Sequence, residues 1–211
     1  MKGKTTILLL VIIVLVLLGL RLCVFDVVSV PTTSRCPKTG HMVLVDRWAY
    51  GYRLPWKCTS RWSYTRAKTG DWVAYNRPAS SPAEKADTTA LYIGKVAAAA
   101  GDTIWYNNDS GRISTTLDTK NGFTHPLIVP IKGRRMPINE GNVQFYAITI
   151  MQHEPTKASV VDGRLCVDGK IVREYCFQQD YYWILTTNPK DKSDSNTFGF
   201  VPHVSLIGKI N

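Results

Sequence analysis

Leu91-Tyr92-Ile93-Gly94-Lys95-Val96 runs up to Gly101-Asp102 and resumes as Thr103-Ile104-Trp105-Tyr106. Both pieces are short and rich in β-branched and aromatic side chains, with a turn signal between them, which is the pattern of strands. The pattern recurs in both directions. Met42 to Val45 and Asp71 to Tyr75 read as strands before it, and Tyr181 to Leu185 as another after it. Asp162-Gly163 and Asp168-Gly169 are turn pairs of the kind that adopt positive φ in tight hairpins. Helical periodicity is weak beyond the N-terminus, and Gly141 to Glu154 is the stretch that allows a helix. Arg77-Pro78-Ala79-Ser80-Ser81-Pro82 reads as a surface loop, because its prolines and serines suit turns and not ladders. Many short strands with turns between them predict a mostly β fold of barrel or sandwich type.

The chain has 211 residues, enough for one domain of good size or two small ones, and a formal net charge of +10. No basic run tracks phosphates, so charge alone does not point to nucleic acid. The basic residues lie among aromatics, as in Arg47-Trp48, Trp56-Lys57 and Arg61-Trp62-Ser63-Tyr64-Thr65-Arg66. That mixture suits either a face resting on lipid headgroups or a solvated surface.

At the N-terminus, Lys2 and Lys4 precede an apolar run from Ile7 to Leu20, broken by Arg21 and resumed from Leu22 to Phe25. A helix needs about 20 apolar residues to cross a bilayer core, so this one spans only if Arg21 snorkels to the far interface. A cleaved signal peptide would carry a small-residue site after the apolar core, and Arg21-Leu22-Cys23-Val24-Phe25-Asp26 offers none. An uncleaved single-pass anchor is therefore expected, with the lysines cytoplasmic and the rest of the chain outside. Cys36, Cys58, Cys166 and Cys176 would then lie where oxidation occurs. Cys166 and Cys176 flank a hairpin signal, which suits either a disulfide between neighbouring strands or two unpaired thiols. No CxxC or Cys/His spacing marks a metal site, and no cofactor is expected.

The chemistry-bearing stretch follows the anchor: Val30-Pro31-Thr32-Thr33-Ser34-Arg35-Cys36-Pro37, then Gly40-His41-Met42-Val43-Leu44-Val45-Asp46 and, a little later, Tyr50-Gly51. It resembles the nucleophile segment of signal peptidase I, Pro-Ser-x-Ser-Met-x-Pro. Three more segments resemble the family in order. They are Thr69-Gly70-Asp71-Trp72-Val73-Ala74-Tyr75; Tyr92-Ile93-Gly94-Lys95-Val96 with Gly101-Asp102; and a closing set of Asp180-Tyr181-Tyr182-Trp183, Ser193-Asp194-Ser195, Phe198-Gly199-Phe200-Val201-Pro202 and Ile207-Gly208-Lys209. The resemblance covers nearly the whole chain.

The resemblance implies a β-barrel or sandwich catalytic domain (26–106 and 179–211) carrying an inserted smaller β or α+β region (107–178), behind a cytoplasmic start and transmembrane helix (1–25). It implies a membrane-bound serine endopeptidase that removes signal peptides from exported proteins, with Ser34 as nucleophile. Thr32 and the backbone N–H of Ser34 would form the oxyanion hole, and Ser193, Asp194 and Ser195 would support the centre. A serine hydroxyl needs a base to become nucleophilic, and the family uses a buried lysine whose neutral form is populated near neutral pH.

That lysine position falls here on Gly94, with Lys95 one residue on. Adjacent strand residues face opposite sides, so Lys95 could serve as base only if the strand slips or bulges, which a glycine favours. His41 is the histidine nearest Ser34 in sequence and a weaker alternative. Arg35 stands beside the nucleophile where the family has an apolar residue. Two readings follow. One is a signal peptidase I-like endopeptidase of impaired activity, acting on signal peptides at the bilayer. The other is a non-catalytic homologue that binds signal segments or assists an active signal peptidase.

Overall fold

The computed structural model describes residues 2–23, 25–29, 42–51, 65–78, 87–186 and 194–210. The chain begins with helix α1 (Lys2–Cys23), followed by β1 (Phe25–Ser29), β2 (Met42–Asp46), β3 (Trp72–Arg77), β4 (Asp87–Ala98) and β5 (Thr103–Tyr106). Next come β6 (Ile113–Ser114), β7 (His125–Ile128), β8 (Arg135–Pro137), helix α2 (Val143–His153), β9 (Ala158–Val161), β10 (Arg164–Val167), β11 (Lys170–Ile171) and β12 (Glu174–Cys176). Strand β13 (Tyr181–Leu185), the short helix α3 (Ser195–Phe198), β14 (Val201–Pro202), a 3-10 turn (His203–Ser205) and β15 (Leu206–Ile210) close it.

Seven strands form the main sheet in the order β1-β2-β15-β3-β4-β13-β14, with neighbours antiparallel. Strand β15, late in the chain, lies between β2 and β3. The sheet is apolar on both sides, which explains why Val73, Ala74 and Tyr75 are buried in succession. Tyr50, Val73, Tyr75, Val96, Tyr182 and Ile184 pack on one face, and Val43, Val45, Ala74, Ile93 and Ile210 on the other. Strand β2 shows the alternation expected of a half-covered strand, with Val43 and Val45 buried and Met42 and Leu44 exposed.

Three smaller sheets, β6-β5-β7, β12-β8 and β11-β10-β9, lie between β4 and β13 in sequence. They share a core with the main sheet: Ile104, Leu127, Met136, Tyr146, Ile150 and Leu165 pack with Ala98, Tyr181 and Trp183. Helix α2 forms where periodicity allowed it, burying Val143, Tyr146, Ala147 and Ile150 on one stripe. Both Asp-Gly pairs turn hairpins with positive φ at each central residue: 50° and 72° at Asp162-Gly163, 48° and 80° at Asp168-Gly169. Cys166 and Cys176 are free thiols on β10 and β12, so no disulfide joins them.

Helix α1 is contacted by β1, and its side chains from Ile7 to Leu18 are all exposed. Charges at Lys4 and Arg21 bound the apolar run within it. Among the described residues no helix is long and apolar enough to cross a membrane.

Candidate active site

Ser34, Thr32, His41 and Ser193 lie outside the described residues. The described part of the expected centre is Gly94 and Lys95 on β4, the Asp194-Ser195 pair, and the strands between them.

Strand β4 passes Gly94 in unbroken register with β3: Ile93 faces Ala74, Gly94 faces Val73 and Lys95 faces Trp72. On the other side Lys95 pairs with Leu185. The register shifts of β4 fall elsewhere, between Asn76 and Arg77 on β3 and between Trp183 and Ile184 on β13. The bulge that would let Lys95 take its neighbour's side of the sheet is not at Gly94. Gly94 is buried and Lys95 is exposed, the opposite-face outcome that strand geometry dictates.

The space beside Gly94 is occupied. A Cβ added there would lie 2.5 Å from Ile184 Cγ2, 3.1 Å from the Leu185 carbonyl oxygen and 3.3 Å from Tyr75 Cε1. The first distance is closer than real Cβ atoms come, so β13 approaches β4 as it does because residue 94 has no side chain. Tyr75, Ile184 and Phe198 belong to one apolar cluster, with the Tyr75 and Phe198 rings 6.5 Å apart. The sequence singled out Gly94; it gave no signal that Ile184, 90 positions later, fills the vacated volume.

Asp194 and Ser195 hold this wall in place. Asp194 caps α3, its carboxylate accepting from the Asn196 backbone N–H at 3.1 Å and from the Asn196 amide at 3.2 Å. The Ser195 hydroxyl, almost fully buried, accepts the Ile184 backbone N–H at 2.8 Å. The pair thus pins α3 to the residue that abuts Gly94.

The other expected segments are joined by charge. Asp71 accepts from Lys209 Nζ at 2.8 Å, the Tyr50 hydroxyl at 2.9 Å and the Lys68 N–H at 3.0 Å. Burial works against its carboxylate, but these donors outweigh it and the pKa lies below the usual range. One contact set therefore links the Tyr50-Gly51, Gly70-Asp71 and Ile207-Gly208-Lys209 stretches. Asp180, fully buried just before β13, accepts from the Arg66 Nε at 2.7 Å and from the Lys132 backbone N–H at 2.7 Å.

The described histidines sit elsewhere. His125 stacks on Tyr106, its ring centroid 5.1 Å away. His203 Nδ1 is 3.0 Å from the Tyr182 hydroxyl. His153, at the end of α2, is held neutral by burial, its pKa pulled down to about 4. No metal-binding cluster occurs among the described residues.

The signal peptidase family, peptidase S26, matches residues 3–211. The chain belongs to that family. At family level this makes it a peptidase of the serine type, in a family whose substrates are signal peptides. No curated protein matches the chain.

Proposed function

We propose that this signal peptidase family member engages signal peptides at a membrane, with Ser34 as its nucleophile, and cuts them slowly because the family's base position is empty. The observation that carries the reading is Gly94, closed over by Ile184 and Tyr75, with Lys95 on the other side of β4. Thr32 and the Ser34 N–H serve as oxyanion donors, and Ser193, Asp194 and Ser195 support the wall beside them. A general base is worth about 10² to 10⁴ in rate, so the residual activity is that of positioning and oxyanion binding. Helix α1 is the anchor. Its described side chains from Ile7 to Leu18 are apolar and exposed all round, the composition of a helix meant for lipid. The lysines ahead of the apolar run place the N-terminus in the cytoplasm and the β domain outside.

The filled site also favours a second reading, a non-catalytic homologue that binds signal segments or assists an active signal peptidase. Incubating the full chain in detergent micelles with a preprotein separates the two. Slow cleavage at the signal junction, abolished by Ser34→Ala and unchanged by Lys95→Ala, is the expected result. Binding without any cleavage gives the second reading. Fast cleavage lost on Lys95→Ala would overturn the assignment of an empty base position.

A further inference from the structure

A groove of about 810 Å³ opens between α2 and the segment around α3, within the ~300–1,000 Å³ of ordinary binding pockets. Helix α2 offers it Phe145, Ile148, Thr149 and Gln152, the spacing of a single helical face. Facing them are Asn196, Phe198 and Phe200, with Trp183 of β13 also in the lining. Ile113 of β6 lines it as well, and β6 is an edge strand of its sheet. Ile148 is 43% exposed, and the Gln152 Nε2 is buried with no hydrogen-bond partner among the described residues. A buried N–H left unpaired costs free energy until an acceptor arrives. Aromatic and aliphatic side chains interleaved with polar ones, an edge strand and an unpaired amide together suit a polypeptide in extended form.

Position says which polypeptide. Asp194 and Ser195 line the groove, and Ser195 bonds Ile184, the residue against Gly94. The groove therefore begins at the wall beside Gly94, the proposed base position. Helix α1 contacts β1 at one edge of the main sheet, whereas β13 lies five strands across from β1, roughly 24 Å at about 4.8 Å per strand. The apolar core of a signal segment belongs in the bilayer, so the chain that reaches this far side is the exported stretch beyond the cut. We infer that the groove binds the mature-side residues of the preprotein in extended form, Gln152 rotating to donate to a backbone carbonyl. This rests on the reading of the chain as a signal-peptide-engaging protein, and it adds a second contact region to it.

The test uses the full Ser34→Ala chain in detergent micelles, so that nothing is cut, and two labelled preprotein peptides. One ends at the junction; the other continues several residues past it. Fluorescence anisotropy gives each Kd. The longer peptide binds roughly tenfold more tightly, and Ile148→Asp removes that advantage while leaving the shorter peptide's Kd unchanged. Gln152→Leu weakens only the longer peptide, roughly fivefold, the scale of one hydrogen bond. The same change leaves the thermal midpoint unchanged or raised, because it deletes a buried donor that has no partner; a structural role for Gln152 would lower it. Equal Kd values for the two peptides, or loss of the shorter one with Ile148→Asp, overturn the groove and leave the signal-peptide reading standing. Failure of both peptides to bind removes that reading and the groove with it.

Discussion

Toward β4, strand β13 presents Ile184 and the Leu185 backbone to Gly94, and nothing in that contact titrates. Toward the smaller sheets it presents Tyr181, whose hydroxyl donates to Glu154 at 2.7 Å. Tyr175 and the Gln178 backbone N–H reach the same carboxylate at 3.3 and 3.1 Å. Burial pushes Glu154 above the usual carboxylate range despite these donors, and His153 next to it is held down. A lysine-dependent serine peptidase needs a buried ionisable group beside its nucleophile. This chain has buried ionisable groups with shifted pKa values, but they fasten α2 and β12 to β13, while the surroundings of Gly94, proposed above as the base position, are apolar side chains and backbone. A shifted pKa here marks a structural joint.

The largest effect that would break this contrast is restoring the base. Gly94→Lys alone forces a side chain into Ile184 and buries an unpaired charge, at a cost of roughly 4 kcal/mol. Its urea midpoint falls and preprotein cleavage does not rise. Adding Ile184→Ala makes room, and the double variant recovers part of the stability and cuts faster than the natural chain. Faster cleavage by the single variant would show that the Gly94 wall yields easily.

The next effect concerns the titrating joint. The folded-state pKa of His153, about 4, lies below the ordinary value of 6.5. Its contribution is therefore fully present above pH 6.5 and is lost as pH falls through 6.5 toward 4. His153→Phe removes that loss, so its stability exceeds that of the natural chain by the order of 2 kcal/mol more at pH 4 than at pH 7. Denaturant melts at the two pH values measure it, and parallel curves for both proteins would rule out His153 as the titrating group.

The smallest effect is at Lys95. Lys95→Ala shifts the thermal midpoint very little, as expected of an exposed surface change of about 0.5 kcal/mol or less.

The strands were legible because each is a short β-branched or aromatic run closed by a turn, and the long ones appear within a residue or a few of their expected bounds. The Asp-Gly hairpins were legible for the same local reason. Strand pairs such as β8 with β12 were not, since three-residue runs carry little period and their partners lie far away in sequence. At the site, counting back from Gly101-Asp102 led to Gly94 as the expected base position. Its neighbours Ile184 and Tyr75 come from other strands, and local pattern does not encode such contacts. The unpaired Gln152 amide was hidden likewise, because helix periodicity tells which face turns inward and not whether a donor finds an acceptor.

The place of β15 between β2 and β3 has a consequence for folding during synthesis. A chain made N-terminus first presents β2 and β3 long before the strand that must bridge them. Until Leu206–Ile210 has been made, each waits with a raw edge, an invitation to stray pairing. The main sheet is thus closed late, by the last of the described strands.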